Sequence, residues 1–239
     1  MPVGVITNAL AIVCGGLLGS VFGHKLSTDF KEKLNLIFAV CSLGIGISAT
    51  VLMVNMPAVV LSLIVGTIVG LTFHLEQNIA RAGSAMQKLI PGASAMDEAT
   101  ASLLVTTIVL FCSSGTGIFG AIVSGMSGDH SILIAKSILD FFTAMIFACT
   151  LGNVVCLIAV PQFLIFLLLF ICAKVIYPLT TPAMINDFKA CGGLIMVATG
   201  FRISKVKNFP IADMIPAMLL VWFMSAFWTG VINPLLAGL

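Results

Sequence analysis

The sequence predicts an all-α, polytopic membrane protein of about eight transmembrane helices, forming one integral membrane domain over residues 1–239. Two observations carry this. Of the 239 residues, 60% are hydrophobic and only 8% charged, whereas a soluble domain is roughly a quarter charged. Mean hydropathy is +1.20, and the apolar residues fall in runs long enough to cross a bilayer, separated by short polar connections.

Residues 3–23 form the first expected span. Gly15, Gly19 and Gly23 recur every fourth residue, a stripe that admits close approach of another helix. No basic segment precedes this run, and the first cation, Lys25, follows it, so a retained helix is expected rather than a cleaved leader. A charged connection, 24–33, leads to span two at about 34–54. Asn55-Met56-Pro57 reads as a tight turn, with Pro57 in the first turn of span three, which carries Gly66 and Gly70 and ends near Leu75. Residues 76–98 form a polar cytoplasmic connection. Within it Ile79, Met86, Leu89 and Ile90 give a short interfacial helix an apolar side, ending near Pro91-Gly92.

Span four, about 99–125, contains Ser113-Ser114-Gly115-Thr116-Gly117, poor helix-forming composition at membrane depth. It reads either as a break, which a bilayer tolerates only where it is buried in protein or lines a cavity, or as small residues packing an intact helix. Span five, 130–152, carries Lys136 and Asp140. Span six, 154–177, contains Pro161, which either kinks one long helix or begins a shorter one. A connection through Asp187 to Lys189 precedes a short span seven at about 190–204, its start marked by Gly192-Gly193. Span eight runs over about 213–235.

Lys25, Lys31, Lys33, Arg81, Lys88, Arg202, Lys205 and Lys207 all fall in odd-numbered connections, and only Lys174 and Lys189 in even-numbered ones. The positive-inside rule then makes the odd connections cytoplasmic and puts both termini outside. A repeat is also visible. Asp29-Phe30-Lys31, Gly44-Ile45-Gly46-Ile47-Ser48 and Met56-Pro57-Ala58 parallel Asp187-Phe188-Lys189, Gly200-Phe201-Arg202-Ile203-Ser204 and Ile215-Pro216-Ala217. Under the eight-span reading it relates spans two and three to seven and eight with inverted topology, a transporter signature.

The chemistry concentrates on Lys136 and Asp140, four residues apart and therefore on one face of a helix, close enough to pair. Ionisable residues inside a membrane are costly and mark functional sites by default. The pair reads either as an ion pair locking the bundle or as part of a site for a small solute or ion. Lys136 is near enough to the outer helix end to snorkel, leaving Asp140 as the deeper charge. Candidate ligands around it are Ser113, Ser114 and Thr116 from the interruption, with Gln162 and Asn8, each also readable as an interhelical hydrogen bond. Asp213 reads as the cap of its own helix. Trp222 and Trp228 read as lipid-facing or interfacial packing residues.

The seven cysteines form no Cys-x-x-Cys pair and read as small buried hydrophobes. The three histidines sit near span ends without metal-ligand spacing. No hydrolase, metalloprotease, phosphate-loop or dinucleotide motif is present, so no enzymatic activity, cofactor or metal is expected. A net charge of +2 spread over the whole chain argues against nucleic-acid binding. The expected partners are the lipid bilayer, a small solute or ion, and a second copy through the small-residue helix faces.

From Cys112 onward the residues are similar to a known family. Ile118-Phe119-Gly120-Ala121-Ile122, Gly128-Asp129, Lys136-Ser137-Ile138-Leu139-Asp140, Leu151-Gly152, Gly192-Gly193-Leu194-Ile195 and Asp213-Met214-Ile215-Pro216-Ala217 resemble the YqgA/YdfK-like family of bacterial inner-membrane proteins. The resemblance implies location and fold, not a substrate. Function therefore divides between a gradient-driven transporter or channel-like protein, with its site between spans four and five, and a non-transporting membrane scaffold or assembly factor. A water-accessible cavity touching Asp140 and residues 113–117 supports the first. A fully paired Asp140 in a closed bundle supports the second.

Overall fold

The structure is a computed structural model and describes residues 1–22, 27–90, 96, 98–112 and 114–237. Its elements are α1 (Val3–Phe22), α2 (Thr28–Thr50), α3 (Met56–Thr72), α4 (Leu75–Gln87), α5 (Glu98–Cys112), α6 (Gly115–Ser127), α7 (Ser131–Leu151) and α8 (Val154–Ile176). A 3-10 turn (Tyr177–Leu179) leads to α9 (Pro182–Ile203), α10 (Ile211–Met214), α11 (Pro216–Phe227), a π-helical turn (Trp228–Ile232) and α12 (Asn233–Ala237). Among the described residues every regular element is helical, as a bilayer demands of open chains whose backbone groups must bond internally. Among the described residues six helical segments are long and apolar enough to cross a membrane, and a seventh if α3 and the bent α4 count as one. The remaining expected span, on α9, bears Asp187, Lys189 and Arg202 and falls outside that group.

The chain forms two compact units, one from residues 1–38 and 77–175, the other from 39–76 and 176–239. In the first, α1 lies along α7. A Cβ added at Gly15 would collide with the Phe141 carbonyl oxygen, and one at Gly19, four residues on in both helices, with that of Met145, so the two helices run parallel at close range. The expected glycine stripe is therefore real, although Gly23 is outside the described residues. Gly15→Val combined with Gly19→Val is expected to force α1 off α7 and cost on the order of 1–3 kcal/mol. Thermal unfolding of the purified chain measures this, and an unchanged midpoint would contradict the close packing.

Gly128 (φ 72°) ends α6 in the left-handed conformation, and Gly152 (φ 65°, ψ −150°) ends α7 in another positive-φ conformation that favours glycine, which keeps the α6–α7 and α7–α8 turns short. Pro161 lies inside a continuous α8, so it does not begin a shorter helix. Buried Leu104, Ile108 and Phe111 of α5 pack with Ile12, Ala144, Ala148 and Ile158. The helix expected in the 76–98 connection exists as α4. It does more than skim the interface: Gly83 is buried beside Val105 and Val109 of α5, and Met86 and Ile90 pack on the same core.

In the second unit α2 and α9 run antiparallel, since Gly46 meets Gly193 and Val197 while Leu43 and Ala39 meet Gly200. Likewise α3 and α11 run antiparallel, Gly66 against Ala217 and Gly70 against the Asp213 carbonyl. The expectation that this stretch becomes helical only near residue 190 is corrected. The Thr181 side chain accepts the Met184 N–H at 3.3 Å and Pro182 occupies the first turn, a complete start signal eight residues earlier. Gly192-Gly193 is thus mid-helix, where small size permits contact with α2. Trp222 stacks on Phe188 with centroids 4.6 Å apart.

All seven cysteines are free. Cys112 and Cys191 are buried as expected, but Cys14, Cys41 and Cys172 are exposed. A lipid-facing helix surface is as apolar as a core, so a small apolar side chain needs no burial there.

Candidate functional site

The first unit holds a polar cluster built by three helices. On α7, the Lys136 ammonium donates to Asp140 Oδ2 at 2.5 Å. From α1, Asn8 Nδ2 donates to the same oxygen at 2.8 Å. From α8, Gln162 Nε2 donates to Asn8 Oδ1. The charges orient the amides. Asp140 accepts only, so Asn8 presents its NH2 there and turns its carbonyl to Gln162, which must then use its own NH2. The chain of donors ends at Gln162 Oε1, a buried acceptor with no protein donor among the described residues. Asp140 stands at the middle of the 21 residues of α7, so the cluster sits at mid-length of the helix.

The interruption in span four adjoins this cluster. The segment is two helices, with α5 ending at Cys112 and α6 beginning at Gly115; Ser114 between them is extended (φ −61°, ψ 123°). The helix is interrupted at Ser114, although α5 and α6 together still make one apolar span, Leu103–Ser127. Ser114 has a local task as the N-cap of α6, its Oγ accepting the Gly117 N–H at 3.4 Å. Thr116 is buried in the first turn of α6. Ser113, the remaining sequence candidate, lies outside the described residues. A Cβ at Gly117 would stand 2.7 Å from Lys136 Cε and would overlap the Phe166 ring. The absent side chain thus leaves room for the lysine stem beside the start of α6.

Snorkelling, which the position of Lys136 leaves open, is not what the side chain does here. It is 3% exposed, slightly less than Asp140 at 7%. Its ammonium lies 5.9 Å from the ring centroids of both Phe111 and Phe166, within cation–π range. With a carboxylate and two aromatic faces for company, the charge gains nothing by reaching for the interface.

Two further buried carboxylates lie in the second unit, and one was invisible in the sequence. Asp187, expected in a connection, is fully buried on α9. Its Oδ1 accepts the Val54 and Asn55 N–H groups, both at 2.8 Å, and Oδ2 accepts Asn55 Nδ2 at 2.8 Å and Ser225 Oγ at 2.7 Å. Four donors fill its four lone-pair sites. Asn55 flanks the start of α3 but makes no side-chain cap of its own, so Asp187 caps α3 from another helix. The overlooked signal was Thr181-Pro182, which would have extended α9 over this residue. Asp213, expected to cap its own helix, instead accepts the Glu76 N–H at 3.0 Å at the start of α4. Glu76 in turn pairs with Arg202 at 2.6 Å.

Against known proteins, the model of the family described as "Protein of unknown function (DUF554)" matches residues 3–226. The chain belongs to the DUF554 family. The protein is 46% identical over 232 residues to "Uncharacterized protein YqgA" of Escherichia coli (strain K12), covering 96% of this chain and 99% of that one. It is 23% identical over 223 residues to "Uncharacterized membrane protein YdfK" of Bacillus subtilis (strain 168), covering 91% and 93%. No solved structure matches. The resemblance noted in the sequence is thereby borne out, and this DUF554 member is a multi-pass helical membrane protein.

Proposed function

We propose that this protein moves a small solute or ion across a bacterial inner membrane, driven by a gradient, through a site between the interrupted span and α7. The observation that carries the reading is the break between α5 and α6 beside the buried Lys136–Asp140 pair. An ion pair that merely locked a bundle would need no broken helix next to it, and interrupting a helix at membrane depth forfeits backbone hydrogen bonds. The Gln162 carbonyl, without a donor among the described residues, agrees, since it offers an acceptor that a passing donor or cation would satisfy. The antiparallel packing of α2 with α9 and of α3 with α11 is what two inverted copies would produce. Here Lys136 and Asp140 are buried and Asp140 is paired, the outcome set out above for the scaffold, so transport requires a second state in which this site opens to water.

The pairing of Asp140 with both Lys136 and Asn8 favours a second reading, a non-transporting scaffold in which the cluster is purely structural. The two separate in proteoliposomes. Purified protein presented with a mixture of ions and small solutes, monitored for loss from the outside medium, is expected to deplete at least one species relative to empty vesicles. Depletion of none would overturn transport in favour of the scaffold.

The orientation with both termini outside carries its own expectation. A reporter enzyme active only outside the cytoplasm, fused after Leu239, is expected to be active, and the same reporter inserted after Lys88 inactive. The reverse pattern would reject the orientation.

A further inference from the structure

In the second unit an open apolar groove of about 370 Å³ runs between α3 and the segment entering α11, lined by Ile64, Thr67, Ile68, Phe209, Pro210 and Met214 among others. Its one hydroxyl is already used, because Thr67 Oγ1 donates to the Leu63 carbonyl within its own helix at 2.6 Å. The groove therefore offers an occupant mainly hydrocarbon contact, with no free hydroxyl donor. Ile64 and Ile68 are 54% and 56% exposed, so the opening faces outward. They lie one and two turns below the end of α3 at Thr72, roughly 6–12 Å into the apolar layer.

At the mouth the chemistry reverses. The strand of chain that enters the groove at Phe209 comes from the end of α9 and carries Lys205 and Lys207, both exposed and without an ion pair among the described residues. Lys205 holds a left-handed turn (φ 60°). Arg202 ties this segment down, donating from Nη1 to the Phe209 carbonyl at 3.2 Å and from Nη2 to Glu76. Two exposed lysines, without an ion pair among the described residues, thus precede the groove residue Phe209 by four and two positions, next in the chain to a hydrocarbon slot.

We infer that this groove binds one anionic phospholipid, an acyl chain seated between α3 and residues 209–214 and the headgroup held by Lys205 and Lys207. Charge complementarity selects the occupant: a zwitterionic lipid fits the slot equally well but presents no net charge to the two lysines. The site is independent of the α5–α7 cluster and of whether the protein transports.

The test is native mass spectrometry of the detergent-purified full chain titrated with phosphatidylglycerol or phosphatidylcholine of identical acyl chains. The wild type is expected to hold phosphatidylglycerol roughly tenfold tighter. Lys205→Gln with Lys207→Gln, both at exposed positions, should bring phosphatidylglycerol down to the phosphatidylcholine level. Ile64→Trp, which fills the groove, should weaken both lipids. Equal wild-type binding of the two lipids overturns the inference, as does a preference that survives the lysine replacements or binding unaffected by Ile64→Trp.

Discussion

Asp140→Asn is expected to destabilise the protein by about 3–5 kcal/mol, the cost of leaving the Lys136 ammonium buried without its counter-charge. Lys136 is almost wholly buried beside Phe111, Phe166 and the start of α6, so it is held away from water, and among the described residues its ion pair is with Asp140. Combining Asp140→Asn with Lys136→Met removes both charges and should recover most of that loss, because Asn8 can still donate to the new amide oxygen. Unfolding of the three variants in detergent measures the effect. A double variant as unstable as the single one would show that the ion pair is not what the site depends on.

The double variant also bears on function. A scaffold held by this pair should keep whatever it does once stability is restored, whereas a transporter using Asp140 should be folded and inactive in the vesicle assay. A stable double variant with undiminished flux would remove Asp140 from the proposed mechanism.

Asp187→Asn is expected to cost about 3 kcal/mol, since one of its oxygens becomes a donor facing two of the donors that the carboxylate accepts. Asn55→Ala should cost less, about 1 kcal/mol, because it deletes a donor and leaves the carboxylate three others. If the two substitutions prove equally mild, the carboxylate is not the clamp that joins α9 to the start of α3.

These results concern residues that were unequally visible in the sequence. The pairing of Lys136 with Asp140 was legible because a spacing of four fixes a shared helix face whatever surrounds it. The break at Ser114 was legible because Ser-Ser-Gly-Thr-Gly opposes helix at a depth where helix is otherwise required. The glycine stripes on α1 and α3 were legible as contact faces, but not which helix each would meet. Asn8 and Gln162 stood out as lone amides in apolar runs; that they join into one chain ending on Asp140 required helices 132 and 154 residues apart in sequence to meet.

What the sequence determined by itself is local and periodic: the helical membrane class, the spacing that pairs the α7 charges, the interruption, and membership of the family. These follow from single segments and from the bilayer's demand for internal backbone bonding. The tertiary structure alone decided where the buried charges go. Lys136 turns inward because two aromatic rings from α5 and α8 accompany Asp140 there. Asp187 is a buried cap because α9 starts early enough to bring it to α3. Neither outcome is encoded within one helix, since the energy of a buried charge depends on the donors and dielectric supplied by its neighbours.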